Sequence, residues 1–257
     1  MVKNLGRLKF ALIFILIFLY LPIAVMIFMS FNSSDAPFTW SGFSTKWYVE
    51  LINSPDIILG FKNTLIVAII ATILATTLGT LLAVGITRFQ RSTTIEAIAL
   101  MPAIFLDLAF AIGLLILFNL LYLPLGLHSV IISHALFCAA FVTAIVRARL
   151  LQLDPALEEA AEDLGDSAVG RFFRITLPSI KPAVIAGALL SFTLSIDEFV
   201  IAFFTNGPNS PTLPIVIYSM VRFGVSPEIN ALASVVLVLS ATIVIIAQRN
   251  VKVKDQL

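Results

Sequence analysis

The sequence predicts an all-α membrane protein with six transmembrane helices and both termini on the cytoplasmic side, and three observations predict it. First, 60% of the 257 residues are hydrophobic and only 12% are charged, against about 45–50% and about 25% in soluble globular domains. A surface drawn from that composition does not stay dissolved, which excludes a soluble enzyme, a nucleic-acid-binding domain and a disordered chain. Second, six windows free of lysine and arginine are long enough to cross about 30 Å of hydrocarbon. Third, the basic residues are unevenly shared between the segments that join those windows.

In chain order the windows are approximately Phe10–Met29, Thr64–Ile86, Ala97–Leu121, Val130–Val146, Ala183–Phe204 and Ala231–Ala247. Their length and lack of alternating polarity favour helix over buried strand. Lys3, Arg7 and Lys9 precede the first window as they would a signal peptide. Its apolar stretch is too long for one and no small-residue cleavage site follows, so it reads as a retained helix. One side of the membrane collects Lys3, Arg7, Lys9, Arg88, Arg91, Arg147, Arg149, Arg171, Arg174, Lys181, Arg249, Lys252 and Lys254; the other has only Lys46, Lys62 and Arg222. The basic excess marks the cytoplasmic side. The long loop Leu150–Lys181 therefore lies inside, and Asn32–Asn63, Pro124–His128 and Thr205–Asn230 lie outside. The single Cys138 excludes an internal disulfide framework and a cysteine-based metal site.

Residues 1–257 thus read as one transmembrane domain. The first outer segment crowds Phe38, Trp40, Phe43, Trp47 and Tyr48, the composition of an aromatic belt that anchors helix ends at the interface. In the second window Ala71, Ala75, Gly79 and Ala83 recur every fourth residue, and in the fifth Ala183, Gly187, Ser191 and Ser195 do so. Such stripes let helix backbones approach closely, within this chain or against a second subunit.

Three carboxylates fall inside the windows: Asp107 near the middle of the third, and Asp197 with Glu198 in the outward half of the fifth. Each costs about 2.5–3.5 kcal/mol to insert at a helix centre, which makes them candidates for a substrate pathway. Apart from His134 in the fourth window, no basic residue lies deep enough to neutralise them. A neighbouring pair of acids suits a hydrated cavity visited by positive charge, so the favoured ligand is a cation. His128 reads as a loop residue and His134 as a hydrogen-bonded helix residue.

Within the long loop, Asp154 and Pro155 can open a short helix and Gly165 can close it. Leu157, Ala160, Ala161 and Leu164 share one face, while Glu158, Glu159, Glu162 and Asp163 take the other. A second short helix over Ser167–Thr176 is expected to stop at Pro178. An apolar stripe on such a hairpin fits a groove on another protein; a loop folded on itself would show the same pattern.

The string from Glu159 reads Glu-Ala-Ala, then Gly165, Ile175 and Leu177-Pro178. Both the spacing and the place resemble the EAA motif of permease subunits of bacterial ATP-binding-cassette importers. The likeness extends over nearly the whole chain. Phe43 to Tyr48, Ser191 to Glu198, Tyr218 to Val221 and Val225 to Ala231 are similar to permeases of spermidine/putrescine importers, with Glu198 where that pattern has a second aspartate. The resemblance implies a MetI-like type I importer permease fold in a bacterial inner membrane. It also implies that Glu159, Ala160, Ala161, Gly165, Ile175, Leu177 and Pro178 couple the chain to an ATPase. The partners it implies are a cytoplasmic ATPase dimer, a second homologous permease and a periplasmic polyamine-binding protein, in membrane lipid. ATP and magnesium would sit on the ATPase, with no cofactor or metal in this chain. Gly165 to Gly170 has the glycine spacing of a phosphate-binding loop but lacks its Lys and Ser/Thr. The rivals are a permease for another cationic or small organic solute, a gradient-driven carrier using the same acids, and an intramembrane protease with Asp107 and Asp197 as its dyad.

Overall fold

The computed structural model describes residues 5–36, 39–89, 92–224 and 226–254. Lys3, Phe38, Arg91 and Val225 lie outside them, as do the side chains of Arg7, Phe223, Arg249, Lys252 and Lys254. Among the described residues regular structure is helical, with a lone antiparallel bridge between Asn32 and Phe43. The chain divides into two compact units, one of residues 1–58 and 216–245 and the other of residues 59–215 and 246–257.

In the first unit, α1 (Leu5–Met29) presents an apolar stretch none of which is buried in the chain. The segment after it is more than an aromatic belt. The Asn32 side chain accepts from the backbone N–H groups of Ser34 and Ser41 and donates to the Thr39 carbonyl at 2.7 Å, folding the loop around one amide. Trp47, on α2 (Lys46–Asn53), is buried and donates its indole N–H to the Asn32 carbonyl at 2.8 Å. Trp40 stacks on Phe28, and Phe43 on Phe31. Tryptophan in a wet interface keeps its N–H for water or lipid headgroups; here a protein carbonyl takes it. α12 (Pro227–Lys254) carries the last window, extended by about one turn at its start and about two at its end. α11 (Leu213–Phe223), which straddles the boundary between the units, puts helix where the sequence suggested outer loop, with Tyr218 on it.

The second unit is built around α6 (Leu127–Leu150), two-thirds of whose apolar stretch is buried. α3 (Pro55–Val84) and α9 (Leu177–Asp197) both pack against it through the predicted small-residue stripes. A Cβ on Gly79 would lie 2.7 Å from Val142 Cβ and 2.8 Å from the Ala139 carbonyl. One on Gly187 would meet Val142 from the other side at 3.3 Å. The stripes therefore serve contacts inside this chain. Thr143 donates to the Gly79 carbonyl at 3.2 Å and Ser129 to the Thr205 carbonyl at 2.7 Å, so hydrogen bonds follow the close packing.

Two windows are not single helices. The third is split into α4 (Thr93–Ile104) and α5 (Asp107–Leu120), bent by 107° at Phe105 and Leu106, both extended. Pro102 removes one backbone donor just before the break, and Asp107 gains from opening a helix, where free N–H groups carry partial positive charge. The fifth is split at Glu198 into α9 and the short α10 (Val200–Thr205). Among the described residues four helical stretches are long and apolar enough to cross a membrane: Lys9–Met29, Pro55–Arg88, Leu127–Leu150 and Ala168–Asp197. The bent pair α4–α5 makes a fifth if it counts as one span.

Pro178 does not stop the second loop helix. After α7 (Ala156–Asp163) and α8 (Ala168–Arg171), residues Phe172–Thr176 form a π turn that runs straight into α9, so Pro178 and Lys181 lie inside helix. A wider turn makes room where a proline ring would strike the carbonyl four residues back. A second π turn, Gly85–Phe89, ends α3.

Candidate functional site

Asp107, Asp197 and Glu198 sit at the helix breaks and not at helix centres. Asp107 is the first residue of α5. Asp197 is the last of α9, and Glu198 follows it with extended backbone. Glu198 Oε1 accepts the Ile201 N–H at 3.0 Å, capping α10. α5 and α10 pack against one another, and the charges of Asp107 and Glu198 are close enough to interact. Two acids thus stand at the N-terminal ends of adjoining helices, whose dipoles supply part of the missing counter-charge. Asp197 has the opposite setting: a helix C-terminus repels a carboxylate. Asp107 and Asp197 are exposed on the isolated chain and Glu198 is half-buried. No lysine, arginine or histidine forms an ion pair with any of the three among the described residues.

His134, the one basic side chain the sequence offered, is not their partner. It is buried on α6, and its Nδ1 is 2.8 Å from Ser195 Oγ on α9. Cys138 and Ser133 extend the same polar seam, Cys138 Sγ donating to the Ser191 carbonyl and Ser133 to the Ser129 carbonyl. The His134 and Cys138 contacts hold α9 on α6 just before the chain breaks at Glu198. The breaks were hard to see in sequence because hydropathy runs through them uninterrupted; the Pro102 to Asp107 spacing was the available signal.

The Glu159 motif forms a second cluster. Asp154 Oδ1 accepts the Ala156 N–H at 3.0 Å to open α7. At the other end Gly165 is left-handed (φ +82°), with its N–H on the Glu162 carbonyl and the Asp166 N–H on the Ala161 carbonyl. That is the closing geometry glycine allows most readily. Of the apolar face, only Ala161 is buried; Ala160 is exposed and Leu164 is 88% exposed. Val169 at 67% and Phe173 at 61% continue the same exposed apolar surface. Ile175 and Leu177 are half-buried on the π turn and the start of α9, and Pro178 is exposed.

The acidic face of α7 is tied down. Glu158 pairs with Arg88 at 3.1 Å and accepts from Thr176 Oγ1 at 2.8 Å. Glu162 pairs with Arg171 at 2.5 Å, and Asp166 with Arg174 at 3.3 Å. Glu159 is exposed and has no ion-pair partner among the described residues. A cleft of about 610 Å³ opens here, with Val84, Arg88, Glu158, Glu159, Phe172 and Thr176 among its walls. Among the described residues no group of three or more His, Cys, Asp or Glu side chains could hold a metal ion.

Residues 75–253 match the model of the binding-protein-dependent transport system inner membrane component. The chain belongs to that family. Its curated relatives include the spermidine/putrescine transport system permease protein PotC of Escherichia coli K12, 43% identical over 90% of this chain and 88% of the relative. The putrescine transport system permease protein PotI of the same strain is 42% identical over 86% of this chain and 82% of that one. Among solved structures, a bacterial ABC transporter that imports the acidic polysaccharide alginate superposes with a TM-score of 0.74 at 20% identity, covering 96% of this chain and 94% of that one. The fold is thus that of an ABC importer permease. Membership places the chain in the inner membrane as a multi-pass transport component. It also sets aside the gradient-driven carrier and the protease.

Proposed function

We propose that this chain is the membrane-spanning subunit of an ATP-driven importer that moves polyamines, spermidine or putrescine, from periplasm to cytoplasm. The observation that carries the substrate is the set of three carboxylates at the breaks before α5 and α10, without a basic partner among the described residues, in a chain 43% identical to PotC. A polycation meets acids there that are held by backbone and by helix ends, and binding through such partial satisfaction stays weak enough for release.

In this reading the chain crosses six times: α1, α3, the bent α4–α5 pair, α6, the α8–α9 rod, and α12. Both termini and the α7–α8 loop face the cytoplasm, consistent with 13 basic residues there against 3 outside. A cytoplasmic ATPase dimer docks on the exposed surface around Glu159, Ala160, Leu164 and Val169 and carries ATP and magnesium. Gly165 closes the docking helix, Ala161 packs it inward, and Ile175, Leu177 and Pro178 lead from it to α9. A second homologous permease completes the passage, and a periplasmic binding protein delivers the polyamine.

The test is uptake of labelled spermidine by cells expressing this permease with those partners, in competition with putrescine, an amino acid and a sugar. Competition by polyamines alone, abolished when the ATPase is inactivated, supports the reading. Competition by the sugar or the amino acid in place of polyamines refutes the substrate.

A further inference from the structure

The glutamate beside the motif, Glu158, holds a position that the motif glutamate Glu159 does not. Glu158 is largely buried in the cleft wall, and its carboxylate meets two side chains from different membrane helices. Arg88 reaches it from the π turn that ends α3, and Thr176, itself buried, from the π turn that leads into α9. One side-chain oxygen, Oε1, receives both. The two wide turns have no other reason on the page to face the same carboxylate, and wide turns inside helices are places where a helix adjusts its register.

We propose that Glu158 is a positioning residue that ties α7 to the ends of α3 and α9, so that movement of α7 reaches both helices through the Arg88–Glu158–Thr176 link. This rests on the reading of α7 as the element that follows the ATPase. The link has two legs of unequal kind. The Arg88 leg is an ion pair, strong across a range of directions; the Thr176 leg is a single directed hydrogen bond. Arg88 Nε and Nη2 are both buried without a hydrogen bond among the described residues, Nη2 facing Oε1 at 3.1 Å as an ion pair only. The link as seen thus leaves a donor over, which a second arrangement of the same residues can use. The Glu162–Arg171 pair joins α7 only to α8, at the foot of the rod that continues into α9, and does not reach α3.

The test uses the full transporter in lipid vesicles, comparing ATPase co-purification, ATP hydrolysis, and spermidine moved per ATP. Glu158→Gln keeps the ATPase attached, yet moves about tenfold less spermidine per ATP. Arg88→Glu does the same, and combining it with Glu158→Arg restores at least half of the ratio. Thr176→Val loses about threefold. A wild-type ratio in Glu158→Gln, loss of the ATPase from it, or no recovery in the double exchange overturns the proposal. Where the Glu158→Gln permease itself does not accumulate in the membrane, Thr176→Val decides, and a wild-type ratio in that variant overturns it. A wild-type complex that moves no spermidine refutes the substrate reading instead. The link is then read from the binding-protein stimulation of ATP hydrolysis, which Glu158→Gln abolishes if the proposal holds and retains if it fails.

Discussion

The two acidic clusters of the second unit are built on opposite rules. In the α7–α8 loop three acids have a basic or hydroxyl partner: Glu158 with Arg88 and Thr176, Glu162 with Arg171, Asp166 with Arg174. At the helix breaks Asp107, Asp197 and Glu198 have none among the described residues, and only helix ends and one backbone N–H answer their charge. Paired acids hold a shape; in the proposed reading, acids without a basic partner are open to an arriving cation. Glu159 and Asp163 differ from these, exposed and without an ion-pair partner among the described residues, and for Glu159, inside the motif, that is the condition expected of a side chain that meets another protein.

The sharpest way to break this comparison is to reverse Glu159. Glu159→Lys should remove most of the ATPase from the purified complex, a loss of at least about tenfold, equivalent to roughly 1.4 kcal/mol. Quantitative co-purification checks it, and full retention would place Glu159 among the purely local acids. Next comes the pathway. The double variant Asp107→Asn with Asp197→Asn should cut polyamine uptake about tenfold with the complex intact, and Asp197→Asn alone about threefold, measured by initial rates of labelled spermidine entry. Undiminished uptake in both would return these acids to a structural role. Gly165→Ala should cost about 1 kcal/mol, because alanine must enter the left-handed region that closes α7; a thermal shift of a few degrees in the detergent-solubilised complex would show it. Smallest of all is Glu162→Gln, where the partly exposed pair with Arg171 contributes at most about 1 kcal/mol. Complex stability should barely change.

Much of this was legible in the chain, and the misses have particular causes. α1, α3 and α6 were visible because apolar length alone marks a membrane helix, and Asp154, Pro155 and Gly165 bracketed α7 through chemistry local to each residue. The small-residue stripes were visible, but not which helix they faced; that needed Val142 seated between Gly79 and Gly187. The breaks at Phe105 and Glu198 were missed because hydropathy averages over them, although an acid in an apolar run is itself a reason for a helix to end. Pro178 misled because proline is read as a stop, whereas a preceding π turn relieves the clash that makes it one. The Arg88 to Glu158 pair spans 70 positions and follows from no local pattern.

That unbroken run past Pro178 has a mechanical consequence. Ala168 to Asp197 is one helical rod of 30 residues, about 45 Å at 1.5 Å per residue. Its near end belongs to the loop and its far end carries the Asp197 carboxylate. A tilt of about 5° about the loop end sweeps the far end through about 4 Å on that length, more than the span of a hydrogen bond. A rod of this kind is a lever, and a few degrees at its foot are enough to carry the Asp197 carboxylate into or out of reach of a bound cation.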